Sequence, residues 1–383
     1  MQTDFGLYIH IPFCRQKCFY CDFPSFAGRE RYIAAYLNAL SREMELLADR
    51  CGETGKLHPR TVYIGGGTPS HLSLEQMEIL FQSIQANTSL SDVAEFTMEA
   101  NPCSLNEEKL YLMKKSGVNR LSIGVQSFDD TCLKKIGRLH NAREAVEKVK
   151  KAQEAGFTNI SIDLMYGLPN QTMDILRASV EQALNLGIQH ISIYGLQVEE
   201  GTVFAKQREL AKLVLPEDEL VDSMYDYIVE KLPKSGYERY EISNYALRGH
   251  ESQHNSLYWQ DVPYLGLGAG AHSYWGGNRY ENPDNIEDYT TLIQENKVFS
   301  QMEELADEQA HMEEFCFLGL RMSQGIDKEK FKAKFSRDIH EVFGEAIQEM
   351  TAKELLRESE KNISLTAVGM KYGNVVFSSF IIC

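Results

Sequence analysis

The sequence lacks the features that mark several classes of protein. No apolar run approaches the roughly 20 residues of a membrane span, and the stretch from Met1 to Phe5 lacks the basic and apolar start of a secretory signal. Hydrophobic residues make up 43% of the chain and charged residues 25%, as in ordinary globular proteins. We therefore expect a folded, soluble, cytoplasmic protein. A peripheral membrane contact is compatible with this composition, but no segment encodes one.

The chain also has fewer basic than acidic side chains. The chain has 39 Lys and Arg residues against 55 Asp and Glu, which gives a net charge of −16. A surface this negative repels phosphate backbones, whose binding to proteins depends on Lys and Arg contacts. Nucleic acid is therefore not expected as the main partner. Modification of tRNA is disfavoured for the same reason, and because no basic domain is appended.

Cysteine is too dilute for a disulfide framework, because eight residues are spread over 383. Three of them nevertheless lie within eight residues, at Cys14, Cys18 and Cys21. The other five are scattered and are interpreted as core or incidental residues: Cys51, Cys103, Cys132, Cys316 and Cys383.

Short apolar, β-branched and aromatic runs alternate with segments that have apolar residues at helical spacing. The runs predict six strands: Leu7–Pro12, Thr61–Ile64, Glu95–Glu99, Arg120–Val125, Asn159–Met165 and Gln189–Tyr194. The segments between them predict helices: Arg31–Leu47, Leu74–Ile84, Glu107–Lys115, Ala142–Ala155 and Met173–Leu186. This alternation predicts a parallel sheet, open or closed into a barrel.

The α/β rhythm ends after Leu196. The segments that follow are a predicted helix at Glu217–Leu232, a Gly- and aromatic-rich stretch from Tyr237 to Tyr280, a charged helical region from about Glu303, and an apolar pair of predicted strands at Leu365–Ile382. We predict three units from these changes: residues 1–236, 237–300 and 301–383.

The segment from Cys14 to Cys21 is a C-x3-C-x2-C loop directly after the first predicted strand. Three thiolates on one short loop can bind a metal ion or an iron–sulfur cluster. In a cubane cluster of four irons they leave one iron without a protein ligand, which is an open position for a substrate or cofactor. Zinc is the alternative, although no fourth cysteine or paired histidine lies nearby.

Glycines and polar residues follow the later strands. The segment from Ile64 to Pro69 contains three consecutive glycines, which let the backbone approach a ligand or form only a tight turn. Glu99, Gln126 and Asp163 fall at or near the ends of three further strands, the edge at which barrel active sites collect. Each could alone be a structural residue. Together they predict a polar ring on the face that carries the cysteines.

At this spacing the cysteine loop resembles that of the radical S-adenosylmethionine (SAM) superfamily. The resemblance implies a 4Fe–4S cluster whose open iron binds SAM, and a partial (β/α)6 barrel that matches the six predicted strands. We therefore expect an α/β fold in which this barrel is followed by an α+β extension and by a small C-terminal, mostly helical, winged-helix-like domain.

The motifs from Tyr8 to about Trp275 resemble, more specifically, the oxygen-independent coproporphyrinogen III oxidases and their heme-chaperone relatives. That resemblance implies that Cys14, Cys18 and Cys21 bind the cluster. The residues that it implies around cluster-bound SAM are Tyr8, Gly66, Gly67, Thr68 and Glu99. The residues that it implies at a second SAM site are Tyr20, Gln126, Arg138 and Asp163.

Three features separate the chain from the oxidases. Asp22 and Phe23 follow Cys21 where the oxidases have a further cysteine, and 13 residues precede Cys14 where the oxidases have a long extension. The segment from His254 to Trp259 matches the H-N-x-x-Y-W motif of the heme-chaperone branch, which implies His254 as a ligand of heme iron.

The histidines of this region have a structural interpretation as well. Judged by its residues alone, a histidine among aromatics such as His254 is more often a satisfied core residue. His272 also belongs to the family pattern and is as readily structural as ligating. We expect the His254 motif to lie outside the barrel core.

The resemblance thus implies a heme chaperone, which contains a SAM-ligated 4Fe–4S cluster, binds heme and delivers it to an apo-protein. Its implied partners are heme, the accepting apo-protein and an electron donor for the cluster. The alternative is an oxygen-independent coproporphyrinogen III oxidase, which decarboxylates porphyrinogen propionates through a deoxyadenosyl radical. The sequence leaves open whether the chain is an enzyme.

Overall fold

The computed structural model describes residues 4–53, 55–299, 301–302 and 307–381. Cys383 and Ile382 lie outside these residues. The strands are β1 (Gly6–Ile11), β2 (Phe13–Cys14), β3 (Phe26–Ala27), β4 (Thr61–Gly66), β5 (Glu95–Ala100), β6 (Arg120–Gln126), β7 (Ile160–Tyr166), β8 (His190–Gly195), β9 (Glu238–Arg239), β10 (Asn244–Ala246), β11 (Tyr264–Leu267), β12 (His272–Trp275), β13 (Asn278–Glu281), β14 (Gln301–Met302), β15 (Ile326–Asp327), β16 (Leu356–Glu358) and β17 (Asn362–Leu365).

The helices agree closely with those expected between the strands. They are α1 (Ile33–Cys51), α2 (Leu74–Asn87), α3 (Glu107–Lys115), α4 (Asp130–Lys135), α5 (Ala142–Glu154), α6 (Met173–Asn185), α7 (Val203–Glu209), α8 (Asp218–Lys234), α9 (Gln253–Trp259), α10 (Ile286–Gln294), α11 (Glu308–Arg321), α12 (Lys328–Phe335), α13 (Ile339–Ala352), α14 (Ala367–Lys371) and α15 (Gly373–Ser379). Within the described ranges, no helix is long and apolar enough to cross a bilayer.

A 12-stranded sheet organises the chain, in the order β14-β13-β12-β11-β1-β4-β5-β6-β7-β8-β10-β9. The six strands β1 and β4 to β8 are parallel and follow one another in sequence, with helices between them. They are the six strands predicted from the sequence, so the prediction of an α/β fold on a parallel sheet is confirmed. Beyond β1, the sheet continues through β11, which is also parallel to β1.

Alternation along β6 shows how the strands create an interior site. Leu121, Ile123 and Val125 are fully buried in the main hydrophobic core. The alternate residues of β6, beginning with Arg120 and ending with Gln126, line a cavity instead. Because successive side chains of a strand point to opposite faces, one face of the sheet packs against the helices and the other surrounds the cavity.

The C-terminal region is mostly helical, as expected, and has its own hydrophobic core. Sixteen buried residues, from Met312 on α11 to Phe380, form a cluster separate from the main core. A three-stranded sheet in the order β15-β17-β16 lies in this region. The unit boundaries at residues 236/237 and 300/301 stay predictions.

The predicted strand pair at Leu365–Ile382 is wrong. After β17, the hydroxyl of Thr366 accepts the backbone N–H of Gly369 at 2.9 Å and begins α14. Val376 and Phe380 are fully buried in the C-terminal core, four residues apart on one side of α15 and its end. A short apolar run satisfies either a buried strand or a buried helix, and tertiary packing decided in favour of the helix.

Candidate functional site

A cavity of about 510 Å³ lies inside the parallel sheet and reaches the cysteine loop at the carboxyl ends of the strands. Its lining contains most of the residues predicted for the site: Cys14, Cys18, Tyr20, Cys21, Gly66, Gly67, Thr68, Glu99, Gln126, Arg138 and Asp163. The polar ring expected at this face therefore exists. Tyr8 and His254, which were also predicted, are not part of the lining.

The three cysteines are free thiols on one wall of the cavity. Cys14 is buried, and its Sγ lies 3.4 Å from the hydroxyl of Thr68. Arg138 donates through Nη1 to the Sγ of Cys18 at 3.4 Å. Burial raises the pKa of the Cys14 and Cys21 thiols, so both stay protonated until a metal displaces their protons.

The donor set of this wall suits an iron–sulfur cluster, because it consists of three thiols on one short loop. Among the residues that the structure describes, no three Cys, His, Asp or Glu side chains are placed to hold one metal ion. A cubane cluster binds each thiolate to a different iron, so its ligands stand apart around it. The guanidinium of Arg138 also places positive charge beside the sulfur of Cys18. The cysteine wall therefore fits a cubane cluster.

The glycine-rich turn is required by the fold and also lines the cavity. Gly66 has a φ of +108°, and a Cβ at this position would lie 2.4 Å from the ring of His10. Its backbone N–H donates to Oε2 of Glu99 at 3.0 Å. Gly66 is thus constrained by packing and also lines the cavity, and its role toward SAM stays a prediction.

Glu99 is the carboxylate closest to this turn. Its Oε1 accepts the hydroxyl of Tyr63 at 2.7 Å, in addition to the bond from Gly66. Burial, together with the charge of the nearby Asp163, raises the pKa of Glu99 to about 7. A cationic ligand in the cavity would favour the charged form of Glu99 and would pair with it.

The residues implied for a second SAM site line the same cavity as the cysteines. Gln126 has a φ of +69° and sits at a shift in register between β6 and β7, which re-aims its side chain. Arg138 donates through Nη2 to the carbonyl of Gly124. Asp163 accepts from the hydroxyl of Ser122 at 3.4 Å. The strained backbone at Gln126 is of the kind that persists at ligand sites.

Tyr8 lies beside the cavity rather than on its surface. Nε2 of His10 donates to the carbonyl of Pro24 at 2.9 Å, which leaves Nδ1 to accept the Tyr8 hydroxyl at 2.9 Å. Burial lowers the pKa of His10, so the neutral ring that this arrangement needs is favoured. Tyr8 also stacks on Tyr63, with ring centroids 6.1 Å apart. Its role toward SAM stays a prediction.

His254 is buried at the amino ends of the central strands, so the expectation that its motif lies outside the barrel core is wrong. Nδ1 is hydrogen-bonded to the hydroxyl of Thr61 at 2.7 Å, and Nε2 to the hydroxyl of Tyr258 at 2.8 Å. The ring is 1% exposed. Burial lowers the pKa of His254 to about 3, so the ring is neutral.

Helix α9, which carries the motif, closes this end of the barrel. Glu95, at the start of β5, accepts the backbone N–H of Gln253 at 2.8 Å and that of His254 at 3.1 Å. A carboxylate at a helix N-terminus pairs with unsatisfied N–H groups there. Asn255 reaches the cavity lining, whereas His254 does not. To ligate heme iron, His254 would have to release a hydrogen bond and leave this position.

Sequence reasoning missed several residues of the cavity. Arg120, Tyr63, Ser192, Tyr194 and Asn255 all line it. The signal for Arg120 was present, because it begins a strand whose alternate residues include Gln126, and a charged residue in that register must face the same interior. His272, the weaker histidine candidate, is exposed on β12.

Comparisons with known proteins agree with this geometry. Residues 8–183 match the model of the radical SAM superfamily, and residues 306–371 match that of the HemN C-terminal domain. The chain is 42% identical to heme chaperone HemW of Bacillus subtilis (98% of each chain covered) and 40% identical to heme chaperone HemW of Lactococcus lactis (100% and 98% covered).

A solved structure shares the fold. The chain superposes on coproporphyrinogen III oxidase (HemN) from Escherichia coli with a TM-score of 0.86 and 23% identity, which covers 99% of this chain and 90% of that one. At this level of identity the likeness concerns architecture alone. It places the cysteine loop and the cavity in a radical SAM fold.

Proposed function

The chain belongs to the heme chaperone HemW family of radical SAM proteins, and from that membership we propose that it binds heme and delivers it to an apo-protein. The observation that carries the proposal is its similarity to curated heme chaperones over the whole length of both chains. The replacement of the oxidases' extra cysteine by Asp22 and Phe23 supports it.

The resident cofactors are a 4Fe–4S cluster and SAM. When bound, the cluster supplies an electron to SAM, and SAM supplies a deoxyadenosyl radical. Cys14, Cys18 and Cys21 would hold the cluster, and Arg138 would stabilise the charge on the Cys18 sulfur. The carboxylate of Glu99 would accept a hydrogen bond from the ammonium group of SAM beside Gly66. Their shared place on the wall of one cavity supports these assignments.

Heme requires a flat apolar contact and groups that meet its propionates. Phe23 and Tyr194 both line the cavity and are 60% and 40% exposed. Such rings can pack against a macrocycle. No histidine occurs among the described residues of the lining. Ligation of heme iron by His254 therefore stays a prediction that depends on movement of α9.

The chaperone and the oxidase differ in a measurable product. Anaerobically reconstituted protein should bind heme, seen by absorbance titration, and should make no protoporphyrinogen from coproporphyrinogen with SAM and a reductant. Heme transfer to a heme-free b-type cytochrome domain should speed up with acceptor concentration, because direct handover needs an encounter. Robust decarboxylation, or no heme binding, would contradict the proposal.

Binding of SAM through Glu99 gives a separate prediction. Glu99→Gln should weaken SAM binding roughly 10- to 100-fold, because a charge-assisted hydrogen bond is lost. Isothermal titration of the reconstituted protein measures this affinity. The matched control is Glu43→Gln, since burial also raises the pKa of Glu43 to about 7 but Glu43 bonds Gly268 and Tyr289 away from the cavity. Equal SAM affinities in the two variants would remove Glu99 from the site.

Two finer assignments belong to the same proposal. We place the protein in the cytoplasm, where thiols stay reduced and can take up a cluster. A reducing protein would supply the electron for the cluster, and the half-buried Cys18 and Cys21 would keep the cluster within reach of the surface.

A further inference from the structure

Arg120 is a buried guanidinium whose hydrogen-bonding capacity is largely unused. The residue is 1% exposed and stands at the start of β6. Its Nε and Nη1 are buried without a hydrogen-bond partner in the described part of the chain. Arg120 also lines the cavity. The donors of buried arginines are normally hydrogen-bonded, so the free donors of Arg120 indicate that an acceptor outside the described residues binds there.

The neighbouring acidic side chains do not supply that acceptor. Glu99 and Asp163 are close enough for Arg120 to lower their pKa, but burial outweighs it and raises both. The oxygens of Glu99 accept from Tyr63 and Gly66. Asp163 accepts from Ser122 and Ser192. The two carboxyl groups therefore compensate part of the charge but leave the donors of Arg120 open.

The other titratable groups around Arg120 are neutral. Its charge lowers the pKa of His190 and His254, in addition to the larger effect of burial. The charge of Arg120 also lowers the pKa of the Tyr63 and Tyr240 hydroxyls, but burial has the larger effect and raises both. None of these four side chains is an anion that could accept from Arg120, so its open donors are left for an acceptor on a ligand.

Arg120 lies far from the cysteines along the cavity. Gly124, whose carbonyl accepts from Arg138 beside Cys18, is four residues further along β6. At about 3.3 Å per residue this separates the two levels by roughly 13 Å. A carboxylate held by the Arg120 guanidinium would therefore lie deeper in the cavity than an iron held at the cysteine loop.

We propose that Arg120 is the binding group for a carboxylate at the deep end of the cavity, whose lining also includes Asn255 of the α9 motif. Two carboxylates have the required chemistry: a propionate of heme, which rests on the proposed function, and the methionine carboxylate of a second SAM. The planar guanidinium suits either one, because its parallel N–H groups match the two oxygens of a carboxylate.

Esterified heme separates the two sources without any mutation. Wild type should bind heme roughly 10- to 100-fold more tightly than heme dimethyl ester, whose propionates carry no charge. Arg120→Gln should bind heme only as weakly as wild type binds the ester, and should bind the ester unchanged. Arg120→Lys should recover part of the heme affinity, since it keeps the charge but loses the fork. SAM affinity is measured on the same samples.

The control is Arg321→Gln. Arg321 also has a buried Nε without a partner among the described residues, but its guanidinium stacks 4.3 Å from the ring of Trp259 and lies outside this cavity. The substitution Arg321→Gln should therefore leave the affinities for heme and for SAM unchanged. A loss of SAM affinity alone in Arg120→Gln would assign the carboxylate to SAM.

Equal affinity of wild type for heme and its ester, with SAM affinity unchanged in Arg120→Gln, would overturn the proposal. If wild type binds no heme at all, the chaperone function fails, and the SAM titrations alone decide the role of Arg120. If Arg120→Gln does not fold, the ester comparison in wild type and the Arg120→Lys variant give the same decision.

Discussion

Replacement of any one of Cys14, Cys18 and Cys21 with Ala should abolish the 4Fe–4S cluster. All three thiols lie on one wall of the cavity, and the described residues there offer no fourth cysteine that could substitute. With two thiolates left, a second iron would also lack a protein ligand. Iron content, sulfide content and charge-transfer absorbance after anaerobic reconstitution measure the effect, and each should fall to background.

The scattered cysteines provide the controls. Cys51→Ala should keep a full cluster, because Cys51 ends α1 away from the cavity. Cys316→Ala should also keep it, although this residue is fully buried in the C-terminal core and its loss should lower stability. A variant of the Cys14–Cys21 loop that retained the iron and sulfide of wild type would refute the assignment.

His254→Ala should destabilise the protein by about 3 to 5 kcal/mol. The substitution empties a fully buried site and leaves the hydroxyls of Thr61 and Tyr258 without their partner. Denaturant unfolding of the apo-protein measures the change. The matched control is His272→Ala at an exposed position, which should cost less than about 1 kcal/mol.

The cost of losing His254 should depend on pH in a definite direction. Its pKa is about 3 in the folded protein and 6.5 for an ordinary histidine, so the unfolded chain binds more protons between these values. The stability that His254 contributes is therefore complete above pH 6.5 and is lost as the pH falls. The difference between wild type and His254→Ala should be about 1 kcal/mol smaller at pH 5.5 than at pH 7. A difference independent of pH would show that the ring is not buried in its neutral form.

His254→Ala and His272→Ala also test whether His254 ligates heme iron. If His254 leaves its buried position to bind iron, His254→Ala loses the heme spectrum of wild type while His272→Ala keeps it. Because His254→Ala is also destabilised, the comparison needs the folded fraction measured in each sample. His254→Gln, which can keep one hydrogen bond, separates loss of a ligand from loss of fold.

The architecture was predictable because its signals are local. Strand and helix periods from Leu7 to Tyr194 specify the parallel sheet, and caps such as Ser73 with Gln76 mark where helices begin. The end of the chain was not predictable in this way. The apolar residues after Leu365 suit a strand or a buried helix equally well, and only their packing against the C-terminal core selects the helix.

Prediction of the site succeeded where a motif encodes chemistry and failed where position depends on tertiary packing. The cysteine spacing and the polar residues at strand ends identified one wall of the cavity. The placement of His254 depends on Thr61 of β4 and Glu95 of β5, which lie 193 and 159 residues earlier in the chain, and no local pattern contains that information. By sequence alone, Arg120 is the polar first residue of a strand. Only the assembled sheet shows that its side chain lines the cavity.

The pairing of β1 with β11 has a consequence for synthesis of the chain. β1 leads into the cysteine loop. One of the two strands that pair with it, β11 (Tyr264–Leu267), is synthesised about 250 residues later. At typical elongation rates of roughly 5 to 20 residues per second, this edge stays open for about 10 to 50 s on the ribosome. An open apolar edge invites pairing with other chains during that interval. A nascent chain that stalls before β11 would thus expose its metal-binding end to aggregation, and iron insertion is best delayed until elongation has passed this point.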